Sequence, residues 1–323
     1  MTKFLITGAS GFVGANFVRA LVKKENDVTV FLRNNSNLWR IIDILPQVNV
    51  KIIDMKNINE IKTSLNEINP EYIFHFAVYG SHPFQKDVSD IFQTNIVNSF
   101  NLMFSAANVC DNLKRFINIG ASTEYGPKLK PMKEDDFTEP ITFEGISKSM
   151  QTNLVQFFAK NLKLPILTLR LFSVYGPYEQ PGRLISDIIT AIIKNRILKL
   201  STPLPRRDFI FIDDVISALE KAYKTPNIDG HIFNIGSGED HSVGDVVDLI
   251  FKLTKKKTEI SWGHEDKKRE FDKMTPWIAN IEKTKQLLNW KPNFSFKEGL
   301  MQTYEWYLNN QQIWDKNPIT VNP

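Results

Sequence analysis

The chain opens on Phe4-Leu-Ile-Thr-Gly8-Ala-Ser-Gly11-Phe-Val-Gly14-Ala-Asn-Phe17, an apolar run that meets three glycines spaced by three and then turns amphipathic. That order predicts a strand, a tight turn and the first turn of a helix. Gly8 and Gly11 supply turn dihedrals and let the backbone approach a phosphate, while Gly14 lets the helix lie against the strand. The unpaired N–H groups at the helix start then face a diphosphate. Three such glycines are weak evidence alone, but here a β-like run precedes them and a helical run follows, which is the context the motif requires. A dinucleotide is expected over Gly8, Ser10, Gly11, Phe12, Val13 and Gly14.

Beyond the turn, a helix to about Lys24 leads to a second strand, residues 27–32, that ends at Arg33. An acidic residue there would bind the 2′-hydroxyl of NAD; a forked guanidinium suits a 2′-phosphate, so NADP is expected over NAD. A third strand, 48–53, ends at Asp54 and Met55, where Asp54 either meets the adenine amino group or caps the following turn. The fourth strand, 72–77, carries His75, read as a hydrogen-bonded core histidine, then Phe76 and Ala77 beside the cofactor. A helix over 87–109 carries Asn95, also placed at the cofactor. The fifth strand, 115–119, breaks at Gly120-Ala-Ser-Thr-Glu-Tyr-Gly126, a small polar loop at a strand's carboxyl end, where open α/β sheets hold ligands. A helix over 144–161 and a strand over 166–172 follow.

This alternation with short loops predicts a parallel sheet covered by helices. After Tyr175 the rhythm changes, and two lobes are expected. A dinucleotide-binding domain spans 1–172 with a return at about 207–235; a smaller substrate-binding lobe takes 173–206 and 236–323.

Composition narrows the function classes. Forty Lys and Arg against 36 Asp and Glu give a formal net charge of +4, with the basic residues scattered apart from Lys255-Lys256-Lys257 and Lys267-Lys268-Arg269. No continuous basic face for nucleic acid is expected, and a modest positive field suits an anionic small molecule. The single cysteine, Cys110, excludes an internal disulfide and a cysteine-rich metal cage, and no metal site is expected. With no signal peptide and no apolar run long enough to cross a membrane, a cytoplasmic protein is expected.

With these motifs in hand, the chain resembles the extended short-chain dehydrogenase/reductase family, in particular its nucleotide-sugar epimerases, dehydratases and 4-keto sugar reductases. The resemblance runs over nearly the whole length, through Gly8/Gly11/Gly14, His75-Phe-Ala77, Ser122-Thr-Glu-Tyr-Gly126, Gly145-Ile-Ser-Lys148, Leu169-Arg-Leu-Phe-Ser-Val-Tyr-Gly-Pro177, Arg207-Asp-Phe-Ile-Phe-Ile-Asp-Asp214 and Leu288-Asn-Trp-Lys-Pro292. It implies a Rossmann-like doubly wound α/β fold, a homodimer formed through helices 87–109 and 144–161, and a nucleotide-diphosphate sugar as substrate. It also implies a catalytic tyrosine and lysine one helical turn apart. The lysine holds the nicotinamide ribose, and the tyrosine exchanges a proton with the sugar oxygen as hydride moves.

Here the signature reads Glu144-Gly-Ile-Ser-Lys148, so Lys148 is in place and Glu144 stands at the tyrosine position. Glu144 acts as the acid or base itself, a tyrosine from elsewhere (Tyr79, Tyr125 or Tyr178) reaches the same carbon, or turnover is impaired and the protein binds nucleotides only. Ser122 or Thr123 takes the part of the hydroxyl that assists. Tyr79, Glu124, Tyr125 and Ser173 are placed at the sugar, and Arg207 and Arg269 at its diphosphate. Arg33 favours reduction of an NDP-4-keto-6-deoxyhexose at C4, and residues 206–214 with Trp290-Lys-Pro-Asn-Phe294 resemble enzymes that make CDP-linked 3,6-dideoxyhexoses. The alternatives are a 4-epimerase with retained NAD, a nucleotide-sugar binding protein, and a 4,6-dehydratase. The last of these needs an Asp-Glu pair that the 122–126 loop does not reproduce.

Overall fold

Side chains of period two decide the layering. In a computed structural model that describes residues 1–82, 84–264 and 276–315, Phe4 and Ile6 of β1 (Lys3–Thr7) face one side of a sheet and Leu5 the other. Val28 and Val30 of β2 (Asp27–Leu32) extend the first face, and Phe31 the second. The first face is covered by α1 (Phe12–Val22) and α7 (Ile212–Lys224). The second is covered by α2 (Ile58–Ile68), α4 (Asn98–Val109) and α5 (Phe143–Leu162). Phe17 of α1 seats its ring 4.3 Å from that of Phe74. Burial of each such ring contributes roughly 1.5–3 kcal/mol, enough to fix the helix on its strand.

The seven strands are all parallel and run in the order β11 (Ile232–Ile235), β6 (Ile166–Leu171), β5 (Arg115–Ala121), β4 (Tyr72–His75), β1, β2, β3 (Asn49–Ile52). Chain order reverses between β1 and β4. The carboxyl ends of that pair, Thr7 and His75, lie opposite each other and open the crevice where such sheets take their ligands. This is the parallel sheet that the alternation predicts, in the Rossmann-like form that the resemblance implies.

The smaller C-terminal lobe begins where β7 (Ser173–Tyr175) continues from β6 and pairs with β10 (Phe209–Phe211). Its other ladders are β8 (Leu198–Lys199) with β13 (Ile260–Ser261) and β9 (Arg206–Arg207) with β12 (His241–Ser242). Helices α6 (Leu184–Lys194), α8 (Val243–Thr254) and α10 (Phe296–Asn309) pack on one another here. Among the described residues no helix is long and apolar enough to cross a membrane.

Two elements differ from the sequence expectation. The single helix over 87–109 is α3 (Val88–Phe92), a π turn (Gln93–Val97) and then α4, and the π turn carries Asn95 inward. Helix α2 is an addition. Its short amphipathic face, Ile61 and Leu65, follows Asn57, whose side chain caps the N–H groups of Asn59 and Glu60.

The opening turn is set by backbone contact. Gly8 has φ +70°, and a Cβ there would sit 2.5 Å from the Ala77 nitrogen; at Gly14 a Cβ would sit 2.4 Å from the Gly8 carbonyl oxygen. Both neighbours are backbone, so neither can step aside cheaply. Gly14→Ala is expected to cost about 1–3 kcal/mol of stability and to weaken dinucleotide binding, read by urea unfolding and calorimetric titration; an unchanged midpoint would count against the close-approach account.

Candidate active site

Helix α1 starts with no side-chain cap at Gly11 and no acidic residue in its first turn. Its free N–H groups lie on an exposed glycine turn at the switch point, which suits a diphosphate. Phe76 and Ala77 follow directly on β4, against Gly8. These residues therefore fit a dinucleotide.

On the neighbouring side, α5 is capped by Thr142, whose hydroxyl accepts from the Gly145 N–H at 3.0 Å. A Cβ on Gly145 would meet the Thr123 carbonyl oxygen at 2.6 Å, so only glycine lets the first turn of α5 press onto the loop after β5. That approach brings Thr123 Oγ1 to donate to Glu144 Oε2 at 2.7 Å. Burial raises the Glu144 carboxyl pKa, against the lowering effects of the Thr123 bond and the charges of Lys148 and Arg183. One turn on, Lys148 is 3% exposed, and its ammonium donates to the Ile119 carbonyl at 2.7 Å and to Gln151 Oε1 at 3.0 Å. Burial lowers its pKa, while Glu144 and Glu124 act to raise it. Glu144, Thr123 and Lys148 are thus brought together.

Other expected site residues have different employment. Glu124 has no exposed surface: Oε1 accepts from the Ala121 N–H at 2.9 Å and Oε2 from Arg170 Nε at 2.8 Å. Tyr125 is equally buried, donates its hydroxyl to Asn234 Oδ1 at 2.7 Å and lies under the Arg170 guanidinium. Neither can touch a sugar, and their placement at the substrate is corrected: together they close a core beneath the loop. Ser122 is buried and accepts from Trp277 Nε1 at 2.9 Å, which leaves Thr123 as the hydroxyl in the site. Asn95 is corrected likewise. Its buried amide bonds the Tyr79 N–H, the Tyr79 carbonyl and Ser147 Oγ at 2.9, 2.8 and 2.8 Å, so it pins the loop after β4 to α5 and has no surface for a cofactor.

Tyr79 stays half-buried on that pinned loop, and Tyr178 lies between Arg19 and Trp306. Asp54 is exposed, its Oδ1 accepting from the Lys56 N–H at 3.0 Å, and Met55 beside it is half-buried. Ser173 is half-buried on β7, its N–H donating to the Asp208 carbonyl. Arg207 lies with its guanidinium 5.3 Å over the Trp277 ring. Arg269 falls outside the described residues.

Two residues went unremarked in the sequence. Arg40, buried, donates to the carbonyls of Ser10 at 3.1 Å and Tyr178 at 2.8 Å, so it ties the glycine turn to the loop after β7. Arg183 donates to the Ser81 carbonyl at 2.6 Å and adds positive charge near Glu144. Both lie in stretches without periodicity, and only their basic side chains mark them.

A phosphate-ready glycine turn at the switch point of a parallel sheet, with a carboxylate and a buried lysine one turn apart across the crevice, defines a dinucleotide-dependent oxidoreductase. Residues 4–236 match the NAD dependent epimerase/dehydratase family, and the chain belongs to that family, whose NAD(P)-dependent enzymes act on nucleotide sugars. It is 26% identical over 339 residues to the dTDP-glucose 4,6-dehydratase of Haemophilus influenzae, covering 96% of this chain and 99% of that protein. The structure of UDP-glucuronic acid 4-epimerase from Bacillus cereus, in complex with UDP-glucuronic acid and NAD, superposes with a TM-score of 0.82 at 25% identity, covering 94% and 98% of the two chains. UDP-glucose 4-epimerase from Thermotoga maritima, with UDP-glucose, gives a TM-score of 0.85 at 24% identity over 95% and 99%.

These relatives correct the cofactor. Structures similar to this one hold NAD, the Bacillus cereus enzyme among them, and the NADP expected from Arg33 is withdrawn. Arg33 is exposed at the end of β2 and its N–H donates to Ser36 Oγ at 3.0 Å, as a surface arginine on a turn.

His75 is wholly buried between Thr7 Oγ1 (2.6 Å) and Ser99 Oγ (2.8 Å), and burial pushes its pKa down from 6.5 to about 3. Below pH 6.5 the unfolded chain takes up a proton that the folded chain refuses. This group alone therefore lowers stability by about 1.4 kcal/mol per pH unit as pH falls through that window. Asp208 and Glu179, raised by burial to about 6 and about 8, act with the opposite sign. The unfolding free energy of His75→Asn is accordingly expected to fall less between pH 7 and pH 5 than that of the parent; equal slopes in urea titrations would contradict a neutral buried His75.

Proposed function

We propose that the protein is an NAD-dependent epimerase that inverts C4 of a nucleotide-diphosphate hexose, with Glu144 as the group that takes and returns the proton of the 4-hydroxyl. The observation that carries this reading is the Glu144 carboxyl itself, bonded to Thr123, one turn before Lys148 and raised in pKa by burial; the resemblance read from the sequence puts a tyrosine at its place. A carboxylate with a raised pKa is a stronger base than a solvated one and better matched to proton exchange near neutrality. Held over the Gly8–Gly14 turn, NAD would supply the hydride acceptor and donor for C4. Glu144 removes the hydroxyl proton as the C4–O bond becomes a carbonyl and restores it when hydride comes back. Thr123 orients the carboxyl, and the Lys148 charge favours its ionised form at the start of each cycle.

Dehydration at C5 and C6 would need a further acid and base. The carboxylate of the loop after β5, Glu124, is engaged by Arg170 without exposure, which favours chemistry confined to C4. The cofactor argument for net reduction was Arg33, and it falls away with NAD in place of NADP. The relatives named above act on UDP- or dTDP-linked hexoses, so these are the substrates to offer first.

UDP-glucose, UDP-glucuronic acid and dTDP-glucose are expected to yield their 4-epimers without net change in NADH. Glu144→Gln is expected to lower kcat by roughly 10²–10⁴ with NAD affinity nearly unchanged, and Glu144→Tyr to retain turnover. Intact kcat in Glu144→Gln, or a 4-keto-6-deoxy product, would sink the reading.

The reading includes a homodimer. Phe143, Met150 and Phe157 recur every seven residues along α5 and are 54%, 43% and 53% exposed, beside Phe100 of α4 at 39%. An apolar stripe across two adjacent helices fits a second copy of itself. Light scattering is expected to give twice the chain mass for the parent and the chain mass for Phe157→Glu; a monomeric parent would refute the dimer.

A further inference from the structure

An unbroken chain of hydrogen bonds runs through the protein from Lys148 to the glycine turn. Gln151 Nε2 lies 2.6 Å from Ser99 Oγ, Ser99 Oγ 2.8 Å from His75 Nε2, and His75 Nδ1 2.6 Å from Thr7 Oγ1, the residue before Gly8. All five side chains are buried, with none more than 3% exposed. They come from four separate elements: α5, α4, β4 and β1.

The first links of this chain take their direction from the lysine. An ammonium only donates, so the Gln151 oxygen faces Lys148 and its amide nitrogen faces Ser99. Ser99 then accepts from Gln151 and shares a further hydrogen bond with His75 Nε2. The other ring nitrogen, Nδ1, meets Thr7 Oγ1, which also faces the Ala77 N–H at 3.4 Å. A neutral His75, one ring nitrogen donating and the other accepting, bridges the two hydroxyls in either tautomer. Among the described residues, two of the three ammonium N–H bonds have acceptors, the Ile119 carbonyl and Gln151 Oε1.

We propose that Gln151, Ser99 and His75 are positioning residues that hold Lys148 in its site and couple it to the diphosphate turn. The inference rests on the reading of Lys148 as the lysine of the active site. Neither Gln151 nor Ser99 touches the crevice, and the mechanism above uses neither. Their effect passes through Lys148, whose charge faces Glu144 on its own helix, Glu124 after β5 and His75 on β4. Glu144 in turn faces Lys148, Glu124 and Arg183. Removing the Gln151 acceptor makes the Lys148 charge harder to hold, so the Glu144 carboxyl rises further and the acid limb of kcat moves to higher pH. An inert packing residue would lower stability without moving that limb.

The test compares Gln151→Met, which keeps the length and removes the acceptor, with Gln151→Glu, which keeps the acceptor toward Lys148 and takes its second bond from the Ser99 hydroxyl, and with Ser99→Ala. Gln151→Met is expected to lower kcat by about tenfold, to shift the acid limb of kcat upward, and to leave KM for the sugar within about twofold. Gln151→Glu is expected to recover most of the rate. Calorimetric titration of the ligand-free proteins with NAD between pH 6 and pH 10 separates this inference from the epimerase reading. If no sugar is turned over, weaker and more pH-dependent NAD binding in Gln151→Met and Ser99→Ala, restored in Gln151→Glu, still supports the network. Parent-like NAD binding and pH dependence in Gln151→Met and Ser99→Ala would overturn it, as would a loss that Gln151→Glu does not repair. Should Gln151→Met fail to fold, Ser99→Ala and Gln151→Glu decide by the same two readouts.

Discussion

A lysine ammonium held almost out of solvent is the constraint around which the crevice is built. Moving such a charge out of water costs several kcal/mol unless polar partners replace the water. Each neighbour of Lys148 answers that requirement: the Ile119 carbonyl at the end of β5, Gln151 one turn further along α5, and the negative charges of Glu144 and Glu124. Supplying them forces the loop after β5 against the first turn of α5, which in turn demands glycine at 145. The position of Thr123 beside Glu144 is a consequence of the same compression.

Two carboxylates near this lysine meet opposite fates. Glu124 lies deeper and pairs with Arg170, so it serves the architecture beneath the loop. Glu144 keeps only a hydroxyl as hydrogen-bond donor, and burial makes its proton easier to keep. A carboxylate spent on an ion pair holds its neighbours in place, whereas one raised in pKa can exchange protons. The proposed chemistry at a single carbon asks for one such exchanging group, and Glu144 is the candidate.

Most of the fold is legible because it depends on local pattern. The glycine turn, the period-two strands and most of the helices between them follow from residue spacing, whereas the order of strands about β1 is seen only in the structure. What was not legible depends on partners distant in sequence. Glu124 and Tyr125 sit in a polar loop that reads as a ligand site, and only Arg170 and Asn234, 46 and 109 residues away, turn them inward. Asn95 reads as one more polar residue on a helix until the π turn rotates it onto Tyr79 and Ser147. Arg33 misled for the converse reason: a cation at a strand end has the chemistry for a 2′-phosphate whether or not one binds, and exposure at a turn is equally good use of it.

The contacts beside the glycine turn bear on how the cofactor is kept. Arg40 joins Ser10 to Tyr178, and Asn16 Nδ2 on α1 donates to the Pro177 carbonyl at 3.1 Å. Both stitches link the dinucleotide-binding sheet to the segment that starts the second lobe, one of them through a buried guanidinium whose pKa burial lowers to about 10. Opening the lobes there would expose or orphan that charge, which makes the junction costly to break. A reductase must release its spent cofactor at every cycle and gains from a junction that opens. An epimerase ends each cycle with its cofactor unchanged, and a closed junction beside the diphosphate turn favours that economy over exchange.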